Sequence, residues 1–229
     1  SGRIAEAIEI FEELLLSNTE DTSLYFLLAE SYQSLEMYDE ALEFLKKYQE
    51  TEGESEELLS KEAYLYMQKE DYRKALSITE NGTSLYPDSS EFNIIAGEIA
   101  FRQDEYQKAE EYLLSVYPLN KDNFHLIDLL AMLNIKQENY AEAAYYTEEL
   151  LNMDSHNLGV KQRLALLYFE IDDKQRFNEI LDQFSDTELM SLFQLIYTPK
   201  SDDNFDRNML VFYLNKARET RTLFKNIMH

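Results

Sequence analysis

The chain repeats itself every 34 residues, and no other feature constrains its fold as strongly. One series of small residues marks the period: Ala7, Ala41, Ala75, Ala109 and Ala143. A second series is offset from the first by 12 residues: Ala29, Ala63, Gly97, Ala131 and Ala165. Small side chains let two helices pack with their axes about 8–10 Å apart. The double series therefore predicts two packed helices in every repeat, stacked into an array.

Tyrosines follow the same period. Four of them precede an alanine of the first series by three residues, and each follows an acidic residue two positions earlier: Tyr38, Tyr72, Tyr106 and Tyr140. The local strings read MYDEAL, DYRKAL, EYQKAE and NYAEAA. With these motifs the chain resembles the tetratricopeptide repeat family. The resemblance implies an all-α fold, a right-handed superhelical solenoid of antiparallel helix pairs with a C-terminal capping helix.

On this resemblance, residues 1–184 form the repeat array and residues 185–229 form a C-terminal helical cap or tail. The array is expected to contain a half repeat at 3–21 and repeats near 22–55, 56–89, 90–123, 124–157 and 158–184. The last repeat is expected to be atypical, because Phe177 stands where a small residue belongs. Since the chain opens with Ser1 in the middle of a repeat, we hypothesise a truncated N-terminus. A cytoplasmic location is favoured, although the compartment stays open.

The chain is strongly acidic, with 45 Asp and Glu against 21 Lys and Arg and a formal charge of −24. This charge repels nucleic acid and attracts basic peptides or proteins, and it also opposes self-association. No run approaches the ~18 apolar residues of a membrane span, so membrane insertion is not expected. Residues 204–229 differ, because they hold five basic against two acidic side chains and carry apolar residues at steps of mostly three or four. This segment is expected to cap the array or, alternatively, to dock in a groove of its own or another chain.

The family resemblance also implies a binding groove. In that family the first helix of each repeat lines the concave side through its second, fifth, ninth, twelfth and thirteenth positions. Transferred to this chain, the register predicts an apolar strip with acidic edges, containing Phe26, Glu30, Gln33, Tyr64, Met67, Ile94, Glu98, Phe101, Asp128, Met132, Ile135, Gln162, Leu166 and Phe169. Such a strip suits a helical or extended peptide with apolar anchors and basic flanks. Burial in the core is the alternative interpretation for the apolar members.

Catalytic, metal and cofactor sites find no support in the sequence. Adjacent carboxylates are frequent, but neighbours on a helix do not face one another, and the three histidines lack a metal-binding spacing. Glu30 would repel the C-terminal carboxylate that some tetratricopeptide co-chaperones grip, and Lys61 and Arg102 are interpreted as isolated basic residues. We therefore expect a non-catalytic adaptor for a protein or peptide partner. The alternatives are a peptide-sensing regulatory or chaperone-like protein that releases its C-terminal helix, and a structural spacer in a larger assembly.

Overall fold

The computed structural model describes residues 2–17, 21–185 and 188–189, and the regular structure in these ranges is helical. The chain divides into an N-terminal unit, Ser1–Asn120, and a C-terminal unit, Lys121–His229. The described helices of the N-terminal unit are α1 (Gly2–Ser17), α2 (Ser23–Ser34), α3 (Tyr38–Glu52), α4 (Glu56–Gln68), α5 (Tyr72–Leu85), α6 (Glu91–Arg102) and α7 (Tyr106–Val116). Those of the C-terminal unit are α8 (Phe124–Lys136), α9 (Tyr140–Met153), α10 (Leu158–Glu170) and α11 (Lys174–Leu181). None of the described helices is long and apolar enough to cross a membrane.

Consecutive helices form pairs within each unit. In the N-terminal unit α2 packs on α3, α4 on α5 and α6 on α7, while in the C-terminal unit α8 packs on α9 and α10 on α11. We call α2, α4, α6, α8 and α10 the first helices and the remaining helices, including α1, the second helices. Within each unit, neighbouring pairs also contact one another, because α4 packs on α3 and α6 on α5 in the N-terminal unit and α10 packs on α9 in the C-terminal unit. The predicted all-α array of helix pairs is confirmed.

The two small-residue series lie in the core, apart from Ala7, which is half-buried on α1. Eight of their alanines have no solvent-exposed surface: Ala29, Ala41, Ala63, Ala75, Ala109, Ala131, Ala143 and Ala165. The second series has a glycine, Gly97, where its other members are alanines. A Cβ atom added there would lie 2.6 Å from Cδ2 of Leu113 on α7. The third repeat therefore replaces the usual methyl group with the leucine of the paired helix, which keeps the core filled.

The same turn ends each first helix. After α2, the Glu36 N–H donates to the Gln33 carbonyl at 2.9 Å and the Met37 N–H donates to the Tyr32 carbonyl at 2.9 Å, the two bonds of a Schellman motif. The residue at the centre of this motif has a left-handed backbone and is usually glycine. Here it is acidic in all five turns, with φ between 54° and 62°: Glu36, Glu70, Asp104, Glu138 and Asp172. The next second helix then begins, in four repeats, at the periodic tyrosine.

The last described pair is shorter than the others. Helix α11 has only eight residues, and Phe177, which replaces the small residue of the family pattern, is 2% exposed. Its ring centroid lies 5.8 Å from that of Phe169 on α10. The aromatic pair therefore occupies the volume in which small residues pack in the other repeats.

A capping box follows α11. The Ser185 N–H donates to the Glu188 carboxylate at 2.7 Å, and the Glu188 N–H approaches the Ser185 hydroxyl at 3.3 Å, the reciprocal bonds that mark a helix start. Leu189 is buried with Phe184 in the core of the C-terminal unit. The predicted cap or tail beyond this point, including residues 204–229, lies outside the described residues.

Candidate protein-binding surface

The first helices of the N-terminal unit carry most of the predicted groove residues. Phe26, Gln33, Tyr64 and Phe101 are half-buried, and Glu30 is exposed. Helix α4 contacts α6 directly, so the faces of these two first helices adjoin. We call the accessible side chains of α2, α4 and α6 at the predicted positions the first-helix face. It combines aromatic surface with polar side chains, the composition that favours protein contacts.

Three predicted groove residues of this unit are not accessible. Met67 and Ile94 are 0% and 1% exposed and belong to the packed interior, as the core interpretation of the strip allowed. Glu98 is also buried, at 7% exposure. A partner therefore cannot contact Met67 or Ile94 without rearrangement of the core, and neither is part of the first-helix face.

An ion pair joins α2 to α4. The Lys61 ammonium lies 2.7 Å from a carboxylate oxygen of Glu30 and 4.5 Å from the ring centroid of Phe26. The lysine therefore neutralises the acidic residue and covers one side of the aromatic ring. The interpretation of Lys61 as an isolated basic residue was wrong, because it pairs with the preceding repeat.

A second polar network joins α4 to α6. The Arg102 guanidinium donates to Glu98 at 2.6 Å and 3.0 Å and approaches the Gln68 side-chain oxygen at 3.4 Å. Burial raises the pKa of the nearby Tyr64 phenol and Glu98 raises it further, whereas Gln68 and Arg102 act in the opposite direction. Arg102 is thus also paired, contrary to the interpretation from sequence. The network keeps the only buried carboxylate of the described chain compensated.

The C-terminal unit contains a comparable pair. Asp128 on α8 accepts a hydrogen bond of 2.5 Å from the Arg163 guanidinium on α10. The neighbouring predicted positions are half-buried, except for Gln162, which is 8% exposed: Met132, Ile135, Leu166 and Phe169. Ile135, Leu166 and Phe169 pack against the core of this unit. The apolar part of the strip here therefore contributes to the core and also keeps some accessible surface, as Phe26 and Tyr64 do in the N-terminal unit.

The cross-repeat pairs have a signal in the sequence that we did not use. Glu30 and Lys61 are separated by 31 residues and Asp128 and Arg163 by 35, each close to one repeat length. A search for opposite charges about one period apart would have found them. The pairs neutralise acidic positions of the predicted groove, so any attraction for basic segments must come from other carboxylates.

Those carboxylates lie near the starts of the first helices. Glu57 and Glu91 are exposed in the first turns of α4 and α6, and neither side chain forms an ion pair within the described ranges. The negative charge is also concentrated in the N-terminal unit, since residues 1–120 contain 27 acidic and 9 basic side chains, a net −18. The N-terminal unit therefore carries most of the negative charge of the chain.

A cleft of about 190 Å³ lies on the C-terminal unit between α9, α10 and α11. At its edge the Tyr168 hydroxyl donates to Glu148 at 2.6 Å, and Arg176 donates to the same carboxylate at 3.0 Å. Burial, followed by the bond to Glu148, raises the pKa of Tyr168. The cleft is smaller than the roughly 300–1,000 Å³ of typical ligand pockets. Tyr168, Arg176 and Glu148 bond to one another at this edge, which is typical of a structural network.

Comparison with known structures finds the same fold at low sequence identity. PilW, a widely conserved type IV pilus biogenesis factor, has a TM-score of 0.66 and 17% identity over 82% of this chain and 90% of PilW. TTC0263, a thermophilic tetratricopeptide protein of Thermus thermophilus, has a TM-score of 0.61 and 21% identity over 73% and 92% of the two chains. MamA residues 41 to the end, from Desulfovibrio magneticus RS-1, have a TM-score of 0.57 and 18% identity over 77% and 97%. These similarities establish the fold alone.

Family models give the sequence evidence. Two models described as tetratricopeptide repeat match residues 1–63 and 60–123 and together span more than half of the chain. A search of curated protein sequences finds no match. The helix pairs, the 34-residue period and the family models agree, and the chain belongs to the tetratricopeptide repeat family.

Proposed function

We propose that this chain is a non-catalytic adaptor that binds a peptide or helical segment of a partner protein on the first-helix face of its N-terminal unit. Tetratricopeptide repeats are interaction modules, and the family assignment supports a protein partner. The observation that carries the proposal is the combination of half-buried aromatic side chains with unpaired carboxylates on the same first helices. Phe26, Tyr64 and Phe101 offer apolar contact, while Glu57 and Glu91 remain without ion pairs in the described part of the chain.

The arrangement defines the chemistry of the segment. Tyrosine and phenylalanine that are already held by neighbours lose little conformational entropy on binding and serve well as contact residues. The Phe101 ring is fixed in this way, because it lies 6.1 Å from the ring of Tyr106. Apolar anchors of the partner would cover these rings, and Lys or Arg on its flanks would face Glu57 and Glu91. This is the helix-in-groove mode of recognition.

The test begins with selection of binding peptides from a random displayed library, using residues 1–229 as target. We expect enriched peptides to combine large apolar residues with flanking Lys or Arg. The double substitution Tyr64→Ala and Phe101→Ala should weaken the binding of the selected peptide by about tenfold or more, since buried aromatic contacts each contribute on the order of 1 kcal/mol.

The matched control is Tyr112→Ala, which removes a tyrosine that is 38% exposed on the second helix α7. This variant should bind the selected peptide as the parent chain does. Circular dichroism must show full helicity in all variants. Equal binding by the double variant and the parent, or enrichment of acidic peptides, would refute the proposal.

A further inference from the structure

The contact of Lys61 with α2 has the composition of a binding site for a cation. The Lys61 ammonium lies 2.7 Å from a carboxylate oxygen of Glu30 and 4.5 Å from the ring centroid of Phe26. The Phe26 ring is itself held by Tyr48 on α3, with 5.3 Å between the ring centroids. A carboxylate beside the face of an aromatic ring is an arrangement that binds ammonium and guanidinium groups. We call Phe26 and Glu30 the cation subsite, and its occupant in this structure is the chain's own Lys61.

The cation subsite is accessible from the solvent. Although the Lys61 side chain is only 17% exposed, that of Glu30 is 48% exposed. The acidic partner of Arg102 differs, because the Glu98 side chain is 9% exposed. A basic side chain that approaches the first-helix face can therefore contact Glu30, whereas Glu98 is covered by the protein itself.

Lys61 has a second acidic residue within its reach. Glu57 lies four residues earlier on α4, is exposed and forms no ion pair within the described ranges. Residues four apart on a helix have Cβ atoms roughly 5–6 Å apart, and a glutamate that precedes a lysine is the favourable order. Lys61 can therefore exchange Glu30 for Glu57 by rotating its own side chain, without movement of either helix. Arg102 has no such exchange, because the residue four positions before it is Glu98, its present partner.

We propose that a basic side chain of the partner takes the place of Lys61 on the cation subsite, while Lys61 turns to Glu57. The inference rests on the proposed function, because the subsite is part of the first-helix face. The exchange leaves the net charge of Glu30, Glu57 and Lys61 at −1, so the attraction of a basic segment at a distance is unchanged. Only the place of contact moves, from Glu57 to Glu30. Lys61 is thus an internal competitor that lowers the affinity of the subsite for other cations.

Competition with a lysine determines which cation the subsite prefers. A lysine of the partner would replace one ammonium by another and gain little over Lys61. A guanidinium is planar, so it can bond both oxygens of the Glu30 carboxylate and also stack on the Phe26 ring. The preferred ligand of the subsite is therefore an arginine side chain of the partner.

The experiment sorts one random displayed peptide library in parallel on residues 1–229, on Lys61→Met and on Lys69→Met. Lys61→Met keeps the length of the side chain and removes the competing ammonium. Lys69→Met is the matched control, because it removes the same charge from the C-terminal end of the same helix, where Lys69 pairs with Asp39 on α3. We expect arginine-containing peptides to be enriched and, in fluorescence anisotropy, to bind Lys61→Met about fivefold or more tighter than the parent chain. Lys69→Met should stay within about twofold of the parent chain, and adding Glu30→Gln to Lys61→Met should abolish the gain.

Three results would overturn the inference. They are an equal gain in Lys61→Met and Lys69→Met, a gain that survives Glu30→Gln, and unchanged or weaker binding by Lys61→Met with full helicity in circular dichroism. The last result would make Lys61 a support of the face and not a competitor. Enrichment of no peptide on any of the three baits would refute the proposed function together with the inference. Peptides that bind the parent chain through Tyr64 and Phe101 but do not respond to Lys61→Met would refute the inference alone.

Discussion

Replacing the acidic residue at the centre of the interhelix turns with glycine should stabilise the protein. The best sites are Glu36, Glu70 and Glu138, with φ of 60°, 60° and 62°. All three side chains are exposed, and none forms an ion pair in the described ranges. Asp104 and Asp172 are less suitable, because Asp104 accepts a hydrogen bond from Tyr106 and Asp172 pairs with Lys174.

The magnitude follows from three terms, of which two stabilise the protein and one destabilises it. A residue with a Cβ atom costs roughly 1–2 kcal/mol in the left-handed region, and glycine removes this strain. Glycine also gives the unfolded chain more freedom, which subtracts about 0.4–1 kcal/mol. Loss of a negative charge at a helix C-terminus adds a few tenths, about 0.3 kcal/mol at an exposed site. Each substitution should therefore raise the free energy of unfolding by about 1 kcal/mol, and the three sites, in different repeats, should be nearly additive.

The assay is urea unfolding followed by circular dichroism, with thermal melting as a second measure. Glu36→Gln separates the terms, because it removes the charge and keeps the strain, and it should stabilise by about 0.3 kcal/mol or less. Glu80→Gly is the matched control, since Glu80 is exposed within α5 and glycine in a helix interior costs about 1 kcal/mol. If Glu36→Gly destabilises the chain as Glu80→Gly does, the strain argument is refuted.

Three further predictions concern the core, the pH dependence and the acidic field. Gly97→Ala should lower the free energy of unfolding by about 1–3 kcal/mol in a urea titration, because the new Cβ would lie 2.6 Å from Leu113. The loss should be smaller when Leu113→Ala is already present, and an equal loss in that background would contradict the prediction. The pKa of Tyr32 is raised to about 12 by burial and by its bond to Glu12, so the folded chain holds this proton more tightly than the unfolded chain. The stability that this protonated tyrosine contributes is complete below about pH 10, the ordinary pKa of tyrosine, and is lost as the pH rises toward about 12. The melting temperature of the Tyr32→Phe variant should therefore fall less steeply over this interval than that of the parent chain. Finally, stopped-flow association rates of a selected basic peptide should decrease as salt increases, whereas salt-independent rates would leave the charge without a role in binding.

The fold was predictable because its signal is periodic. A small residue must recur wherever two helices approach closely, so the positions of Ala41 and Ala63 appear in the sequence as two offset series. Tyr38 and its equivalents recur with the same period, and they mark the starts of the second helices. The acidic left-handed turn residues were visible as part of the tyrosine motif, but their backbone conformation was not, because glycine usually occupies such a position.

The surface was less predictable. The family register assigns both Met67 and Phe101 to the groove side of their helices, yet Met67 is fully buried and Phe101 is half-buried. The difference depends on the packing of adjacent repeats, which no single repeat encodes. Ion pairs between repeats were missed for a related reason, since Glu30 and Lys61 are distant in sequence and only the stacked array brings them together. Burial and charge compensation at the predicted groove therefore required the structure.

The central claim is that partners contact the first-helix face of the N-terminal unit, and site-specific photo-crosslinking tests it most directly. A benzophenone amino acid is placed at Phe101 on α6 or at Tyr112 on α7, and the chain is irradiated with a peptide selected by display. We predict that the crosslinked peptide forms from position 101 and not from position 112. Crosslinking from position 112 alone, with both variants fully helical, would contradict the account.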